Sequence, residues 1–437
     1  MLEPLFYNTP DGREKVEALV NRRFVVAEGV EEKVESIISD VRASGDDALV
    51  RYARRYDSPA FTSDAIRVSE SEIDAAYSDV DDGFPALVQR AVRNIREFHE
   101  RQLPSSWMLT RENGAMLGQM VRPVDAAGLY VPGGSGGRTP LVSSVLMNAL
   151  PAVIAGVKRI VMATPPDERA GVNPCLLVAA REAGVSEVYR MGSAWAIAAM
   201  AYGTETVAPV DVIAGPGNIF VTLAKKLVAG SVGIDMIAGP SEILVIADET
   251  APARFAAADL LSQAEHDPMA TSVLVTTSET VASETCLELD RLLAGLERAG
   301  TAKESLEANG VVLVVETLEQ AVDMANRMGP EHLELLVADP WSLLPSIRHA
   351  GAIFLGRYSP EPIGDYMAGP NHVLPTMGTA RFSSALGVET FLKRSSVISY
   401  SRKAFEDEAA DVMALAGIEG LTAHSLSVDV RLDSGKE

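Results

Sequence analysis

From about residue 120 to residue 355 the chain repeats one pattern, a short β-branched apolar run followed by a longer Ala/Leu-rich stretch. Strand segments read as RIVMAT (159–164), VDVIA (210–214), EILVIA (242–247), TSVLVTT (271–277) and VVLVVE (311–316). Helices are expected between them over 141–156, 173–184, 217–229, 252–266, 279–298 and 317–328. Strands that are apolar throughout, rather than alternating, must be covered on both faces. Alternation with helices supplies that cover, so the pattern predicts an α/β fold with parallel sheets. Sheets of this kind take small ligands in crevices at the carboxyl ends of their strands.

Three regions break the rhythm. Residues 1–110 read mostly helical, through VEALV and again through VESIISDVRASGDDALVRYARRY. Residues 356–384, GRYSPEPIGDYMAGPNHVLPTMGTARFSS, carry too much Gly and Pro for regular structure, and an irregular stretch of that length inside a domain is usually functional. The C-terminal part predicts a helix near 402–416, Gly417 as its stop, a short turn through EGLTAHSLSV and a polar tail. No repeat of solenoid period occurs.

Bulk properties exclude several classes. No apolar run free of charge reaches the ~18 residues a membrane span needs. The N-terminus lacks the basic start and apolar stretch of a secretory signal. Two cysteines, Cys175 and Cys286, are too few for a disulfide framework or a cysteine zinc site, so a reduced, cytoplasmic protein is expected. A net charge of −22 argues against nucleic acid, whose phosphates need clustered Lys and Arg. For the acidity itself, a solvated surface is the simpler explanation.

Of the six histidines, His99 and His349 sit in ordinary helical company and read as surface or helix-end residues. The others stand beside acids or amides. In LLSQAEHDP, Gln263 and His266 lie three apart on one helix face and can reach one ion, although a lone histidine at a helix end also answers the dipole. In GPEHLEL, Glu331 and His332 adjoin at the mouth of an apolar run. Neighbours in a strand face opposite ways, so the two can serve one acid–base site only at a strand end or bend. Asp365 and His372 occupy the irregular stretch, and Glu419 and His424 lie in GIEGLTAHS. Oxygen and imidazole donors together suit zinc better than a soft-metal site. Spacing alone leaves open whether these segments converge. Two glycine-rich stretches, GLYVPGGSGG (128–137) and AGPGN (214–218), precede helices and can offer amides to phosphate, but neither matches G-x-G-x-x-G. Neither cysteine stands in a nucleophile context.

Taken in order, GLYVPGG, SSVLMNALPAVIAGV, AIAAMAYGTETV, IAGPGNIFV, AGPSEILVIAD, LLSQAEHDP, GPEHLEL, GDYMAGPNHVLPT, ARFSSALGVETFLKRSSVISYS and EGLTAHSLSV strongly resemble the histidinol dehydrogenase family. The resemblance implies oxidation of L-histidinol through L-histidinal to L-histidine with two NAD, in the last steps of histidine biosynthesis. It assigns one zinc per subunit to Gln263, His266, Asp365 and His424. Glu331 and His332 become the acid–base pair, and Ser241, His372 and Glu419 join the substrate site with the zinc residues and His332. Tyr130, Trp195 and Asn218 fall on the cofactor side. The family fold implies two Rossmann-like, aldehyde-dehydrogenase-like parallel-sheet domains with small helical terminal segments. On this chain they are an N-terminal segment 1–27, a main domain 28–128 plus 239–384, an NAD-side domain 129–238, and a dimerisation segment 385–437 that completes the partner's site in a homodimer.

Two departures fall on the cofactor side. The loop after Gly134 is longer than the commonest family form, and Trp195 stands where the family has a glutamine. The rival readings are a dehydrogenase of another small polyol such as a sulfopropanediol, a cysteine-dependent aldehyde dehydrogenase, and a non-catalytic zinc protein.

Overall fold

The computed structural model describes residues 2–22, 27–133 and 139–433. They form two compact units, Met1–Gln102 with Val124–Phe391, and Leu103–Pro123 with Leu392–Glu437. The extended loop after Gly134 lies largely outside the described residues.

The larger unit is α/β, built on two all-parallel sheets. All the strands anticipated from the apolar runs are present, as Arg159–Thr164, Val212–Ala214, Glu242–Ala247, Thr271–Thr276 and Val311–Val314. The helices between them run Val142–Ala155, Pro174–Ala183, Ile219–Val228, Ala253–Ala264, Glu279–Leu293 and Leu318–Met328. Every residue of Glu242–Ala247 and Thr271–Thr276 is buried, which is why these strands carry no alternation.

The six-stranded sheet is ordered Leu5–Phe6, Val311–Val314, Thr271–Thr276, Glu242–Ala247, His332–Leu336 and Ala352–Leu355. His332 pairs with Ile243, so Ser241, Glu242, Glu331 and His332 gather where these two strands begin. The five-stranded sheet is ordered Glu187–Arg190, Arg159–Thr164, Ala126–Tyr130, Val212–Ala214 and Gly233–Ile234. Helix Val30–Tyr56 packs on helix Ser193–Tyr202 beside this second sheet.

The N-terminal residues are helical at Pro10–Val20, Val30–Tyr56, Glu70–Ala76 and Phe84–His99, with two strands the periodicity did not reveal. Leu5–Phe6 adds a strand to the six-stranded sheet, and Trp107–Thr110 belongs to the smaller unit. Two residues carry no period of their own, so only the sheet edge defines the first of them.

In the smaller unit Leu392–Ser399, Met116–Pro123 and Trp107–Thr110 form an antiparallel sheet, followed by helices Arg402–Ile418 and Thr422–Asp433. Here two expectations are corrected. Gly417 does not stop the first helix; it lies within it, and Gly420, at φ 71°, takes the left-handed position beyond the end. The amide of Leu421 donates to Ala416 (2.8 Å) and that of Gly420 to Gly417 (3.1 Å), a Schellman closure. What read as a turn and polar tail is then a helix, started by Leu421 accepting from His424 and Ser425. Among the described residues no helix is long and apolar enough to cross a membrane.

One loop of the larger unit is held from both sides. Gly215, at φ 118°, passes so close to the end of strand Ala126–Tyr130 that a Cβ would lie 2.2 Å from the Tyr130 carbonyl oxygen. Its amide donates to Asp235 (2.8 Å) and its carbonyl accepts from Lys225 Nζ (3.0 Å), and Lys225 and Asp235 form a buried ion pair. Lys225→Met strands the Asp235 charge and should lower the unfolding free energy by about 3–5 kcal/mol in urea denaturation, with Asp235→Asn added in the same chain recovering part of it. An unchanged single-variant midpoint would show that the pair holds nothing.

Candidate active site and metal centre

Local structure places the expected residues in two groups. Helix Ala253–Ala264 ends before Pro268, and the amide of His266 folds back onto the Gln263 carbonyl (3.2 Å), keeping the two residues in one turn. Glu331 and His332 follow a Gly-Pro pair and open their strand, the bend that lets neighbours share a site. Asp365 lies in Gly364–Ala368, a single wide turn of π type, a form common at functional positions. Each of these segments leads into, or lies against, the amino edge of the six-stranded sheet. Carboxyl-edge crevices describe the other sheet alone, where Tyr130 ends its strand and Asn218 caps helix Ile219–Val228 after strand Val212–Ala214.

At the amino edge, ligand atoms of His266, Asp365 and Glu361 all lie within 4.8 Å of one another. Gln263, three residues before His266, is fully buried, and both polar atoms of its amide lack a hydrogen-bond partner among the described residues. Leaving such an amide unsatisfied costs about 1–3 kcal/mol, so its carbonyl oxygen fits a metal-ligand role. Asp365 Oδ1 is 3.4 Å from His372 Nδ1. Burial alone would push its carboxyl up, but the hydrogen bond and charge of His372 outweigh that and hold it below the ordinary range. Glu361 is pushed up to about 8, first by burial and then by the neighbouring Asp365 charge. It accepts from Ser262 (3.1 Å) and lies 4.0 Å from His332 Nε2.

Both members of the expected acid–base pair hang on the backbone of one residue, Glu242. Glu331 Oε2 accepts from the Glu242 amide (2.9 Å), and His332 Nδ1 lies 2.9 Å from the Glu242 carbonyl. A carbonyl can only accept, so Nδ1 carries the proton and Nε2 is left with its lone pair. Burial lowers His332 to about 4 and raises Glu331, so the imidazole is neutral and the carboxyl, once ionised, is a stronger base than in water. Glu242 is anchored in turn by Arg22, whose Nε and Nη2 each reach one of its carboxylate oxygens at 2.5 Å.

Ser241 is half-buried at the entry to its strand and accepts from the Thr271 amide (3.0 Å). Glu419 and His424 belong to the smaller unit, at the cap of Arg402–Ile418 and in the first turn of Thr422–Asp433, both exposed. Trp195 is buried and stacks on Tyr52 (5.4 Å) and Tyr56 (5.6 Å).

No local spacing marks Glu242 or Arg22, whose partners are hundreds of positions away. Glu361 had one signal, an acid four residues before Asp365 in a non-regular stretch. His99 differs from its surface reading: it ends helix Phe84–His99 as expected but is fully buried, with Nδ1 2.9 Å from the Ile95 carbonyl. Burial raises both cysteine thiols, so each ionises less readily than a free thiol.

The family model for histidinol dehydrogenase matches residues 20–432. A histidinol dehydrogenase of Desulfotalea psychrophila is 55% identical over 432 residues, covering 99% of this chain and 100% of the relative. Another, from Nitratidesulfovibrio vulgaris, is 56% identical over 410 residues, covering 94% of each chain. The crystal structure of histidinol dehydrogenase from Elizabethkingia anophelis is similar with a TM-score of 0.92 at 37% identity, covering 100% of this chain and 99% of that one.

His332 gives a pH test. Its folded value of about 4 lies below the ordinary 6.5, so the folded protein binds this proton less readily than the unfolded chain. Its contribution to stability is therefore complete above 6.5 and is lost as the pH falls towards about 4, with a slope of at most ~1.4 kcal/mol per pH unit. In metal-free protein the His332 imidazole should still be neutral by NMR at a pH of about 5.5, and His332→Gln should flatten the urea stability profile across that window. A protonated ring at that pH would contradict the assignment.

Proposed function

This chain belongs to the histidinol dehydrogenase family and is an NAD-linked oxidoreductase of that type; from that premise we propose how its residues divide the oxidation of L-histidinol to L-histidine. The observation that carries the reading is His332: an imidazole fixed with Nδ1 protonated and Nε2 free, next to a cluster of metal-compatible donors.

Gln263, His266 and Asp365 would hold a zinc ion together with the partner's His424. The unsatisfied Gln263 amide and the convergence of His266 with Asp365 support the first three. The zinc would fix the imidazole and amine of the substrate, and NAD would supply the hydride acceptor. His332 Nε2 takes the proton of the alcohol in the first oxidation. Glu331, raised by burial, takes a proton from the water that adds to the aldehyde, and His332 accepts the proton of the resulting hydrate in the second. Ser241, His372 and Glu419 would orient the substrate. Tyr130, Trp195 and Asn218 would line the cofactor side. Two thiols that burial makes harder to ionise favour this over a cysteine-dependent aldehyde dehydrogenase.

A homodimer in which each smaller unit completes the partner's site fits the apolar side chains that unit exposes on its helices, among them Leu415, Ile418, Leu426 and Val430. Burying such surface is the usual driving force for association.

The deciding experiment follows NADH absorbance on adding L-histidinol: two NADH per substrate are expected, and no turnover, or turnover of dihydroxypropanesulfonate instead, would overturn the substrate assignment. His332→Gln should retain its zinc and lose nearly all NADH formation, whereas His266→Ala should lose zinc and activity together. Wild-type rates in His332→Gln would remove it as the base. Mixing His424→Ala with His332→Gln subunits should restore part of the activity, and no recovery would argue against a shared site.

A further inference from the structure

Inside a helix each carbonyl is normally closed by the amide four residues on. Helix Val142–Ala155 cannot do this throughout, because Pro151 lies within it and has no N–H to give to the Met147 carbonyl. Met147 is fully buried, so water cannot take the place of the missing donor. The Asn371 side chain fills the gap. Its Nδ2 donates to the Met147 carbonyl at 2.7 Å, from 224 positions further along the chain. Asn371 is itself buried, and the same nitrogen lies 3.5 Å from Nε2 of the buried His99.

The oxygen of the same amide is committed as well. Asn371 Oδ1 accepts from the Val373 amide (2.9 Å), a side-chain turn that spans His372 and fixes the backbone on both sides of it. The stretch before it is pinned on helix Phe84–His99. Asn94 Nδ2 donates to the Met367 carbonyl (2.8 Å), and Gly369, at φ 105°, passes so near that a Cβ would lie 2.5 Å from the Asn94 carbonyl oxygen. Beyond it the Val373 carbonyl accepts from the Leu386 amide (2.9 Å). Residues 370–376 belong to no helix or strand, so contacts of this kind are what hold them. Within this clamp His372 Nδ1 comes to 3.4 Å from Asp365 Oδ1.

We propose that Asn371 is a positioning residue: it docks the His372 segment into the hydrogen-bond gap that Pro151 opens, and so holds His372 where the substrate needs it. Displacing a substrate-orienting side chain by about 1 Å can cost roughly a hundred-fold in rate. An imidazole on an irregular stretch has no ladder to keep it within that tolerance, and Asn371 supplies the fixed point. The inference rests on the reading of His372 as a residue that orients L-histidinol.

The test compares variants of the full-length, zinc-loaded enzyme by kcat, by KM for L-histidinol and for NAD, and by melting temperature. Asn371→Ala alone strands the Met147 carbonyl besides freeing the segment, so it should lower the melting temperature. Pro151→Ala gives that carbonyl an N–H within its own helix, and Asn371→Ala made in that background strands nothing. Pro151→Ala and Pro151→Ala/Asn371→Ala should therefore melt at similar temperatures. The double variant should still raise KM for L-histidinol, lower kcat/KM about ten- to a hundred-fold, and leave KM for NAD unchanged. Equal L-histidinol KM values in the two would make Asn371 a partner of Met147 only, and the proposal fails. A rise of both KM values by one factor, or a fall in kcat alone, would overturn it too, because neither singles out the His372 side. His372→Ala checks the premise and should raise KM for L-histidinol at least as far. If it does not, His372 does not orient the substrate and that reading falls. If it does while the Asn371 change has no effect, only the positioning role falls.

Discussion

The backbone of Glu242 is where the fold and the chemistry meet. Its amide holds Glu331, its carbonyl sets the proton of His332, and its buried side chain is tied to Arg22. These contacts exist because Glu242–Ala247 and His332–Leu336 lie side by side in parallel, with His332 opposite Ile243. A shift of one residue in that register would turn His332 to the other face of the sheet. Hydrophobic packing of two fully covered strands therefore fixes which nitrogen of His332 is free, and a proton-transfer role depends on that nitrogen.

Around that residue, burial and charge act against each other. His332 and Glu331 are both driven towards their neutral forms by desolvation, while His372 keeps Asp365 ionised against the same tendency. One edge thus offers a neutral imidazole, a basic carboxyl and an anionic oxygen donor within a short span. The first two differ from their behaviour in water because burial excludes it, and Asp365 because His372 stands against it. Gln263 carries the same logic in uncharged form: an amide buried with no hydrogen-bond partner among the described residues is costly to keep.

The two sheets use opposite ends. Tyr130, Thr164 and the Gly215 loop lie at the carboxyl edge of the five-stranded sheet, while Glu331, His332 and the metal-compatible residues lie at the amino edge of the six-stranded one. The carboxyl edge is the usual place for a nucleotide, where helix N-termini and turns present amides. The amino edge is reached instead by helix C-termini and by the Gly-Pro turn before His332. These ends suit side-chain donors such as Gln263 and His266.

Much of this was legible in the residues themselves. Unbroken apolar runs such as EILVIA and TSVLVTT can only be strands covered on both sides, and the Gly-Pro before Glu331 announces the bend two neighbouring site residues need. The three-residue step from Gln263 to His266 follows from helix geometry, and the ordered motifs identify the family. Where periodicity was too short, or a glycine had two possible roles, the reading went astray, as with Leu5–Phe6, Gly417 and the last helix. His99 ends its helix as expected, but its burial was not legible because burial is a property of neighbours. Arg22, Glu242 and Glu361 could not be found from spacing, since their partners approach from distant segments. By itself the sequence determined the layers, the strands and the family, because those depend on local pattern. Tertiary structure alone decided the tautomer of His332 and the unsatisfied amide of Gln263, because each depends on which distant groups come near and on water being kept away.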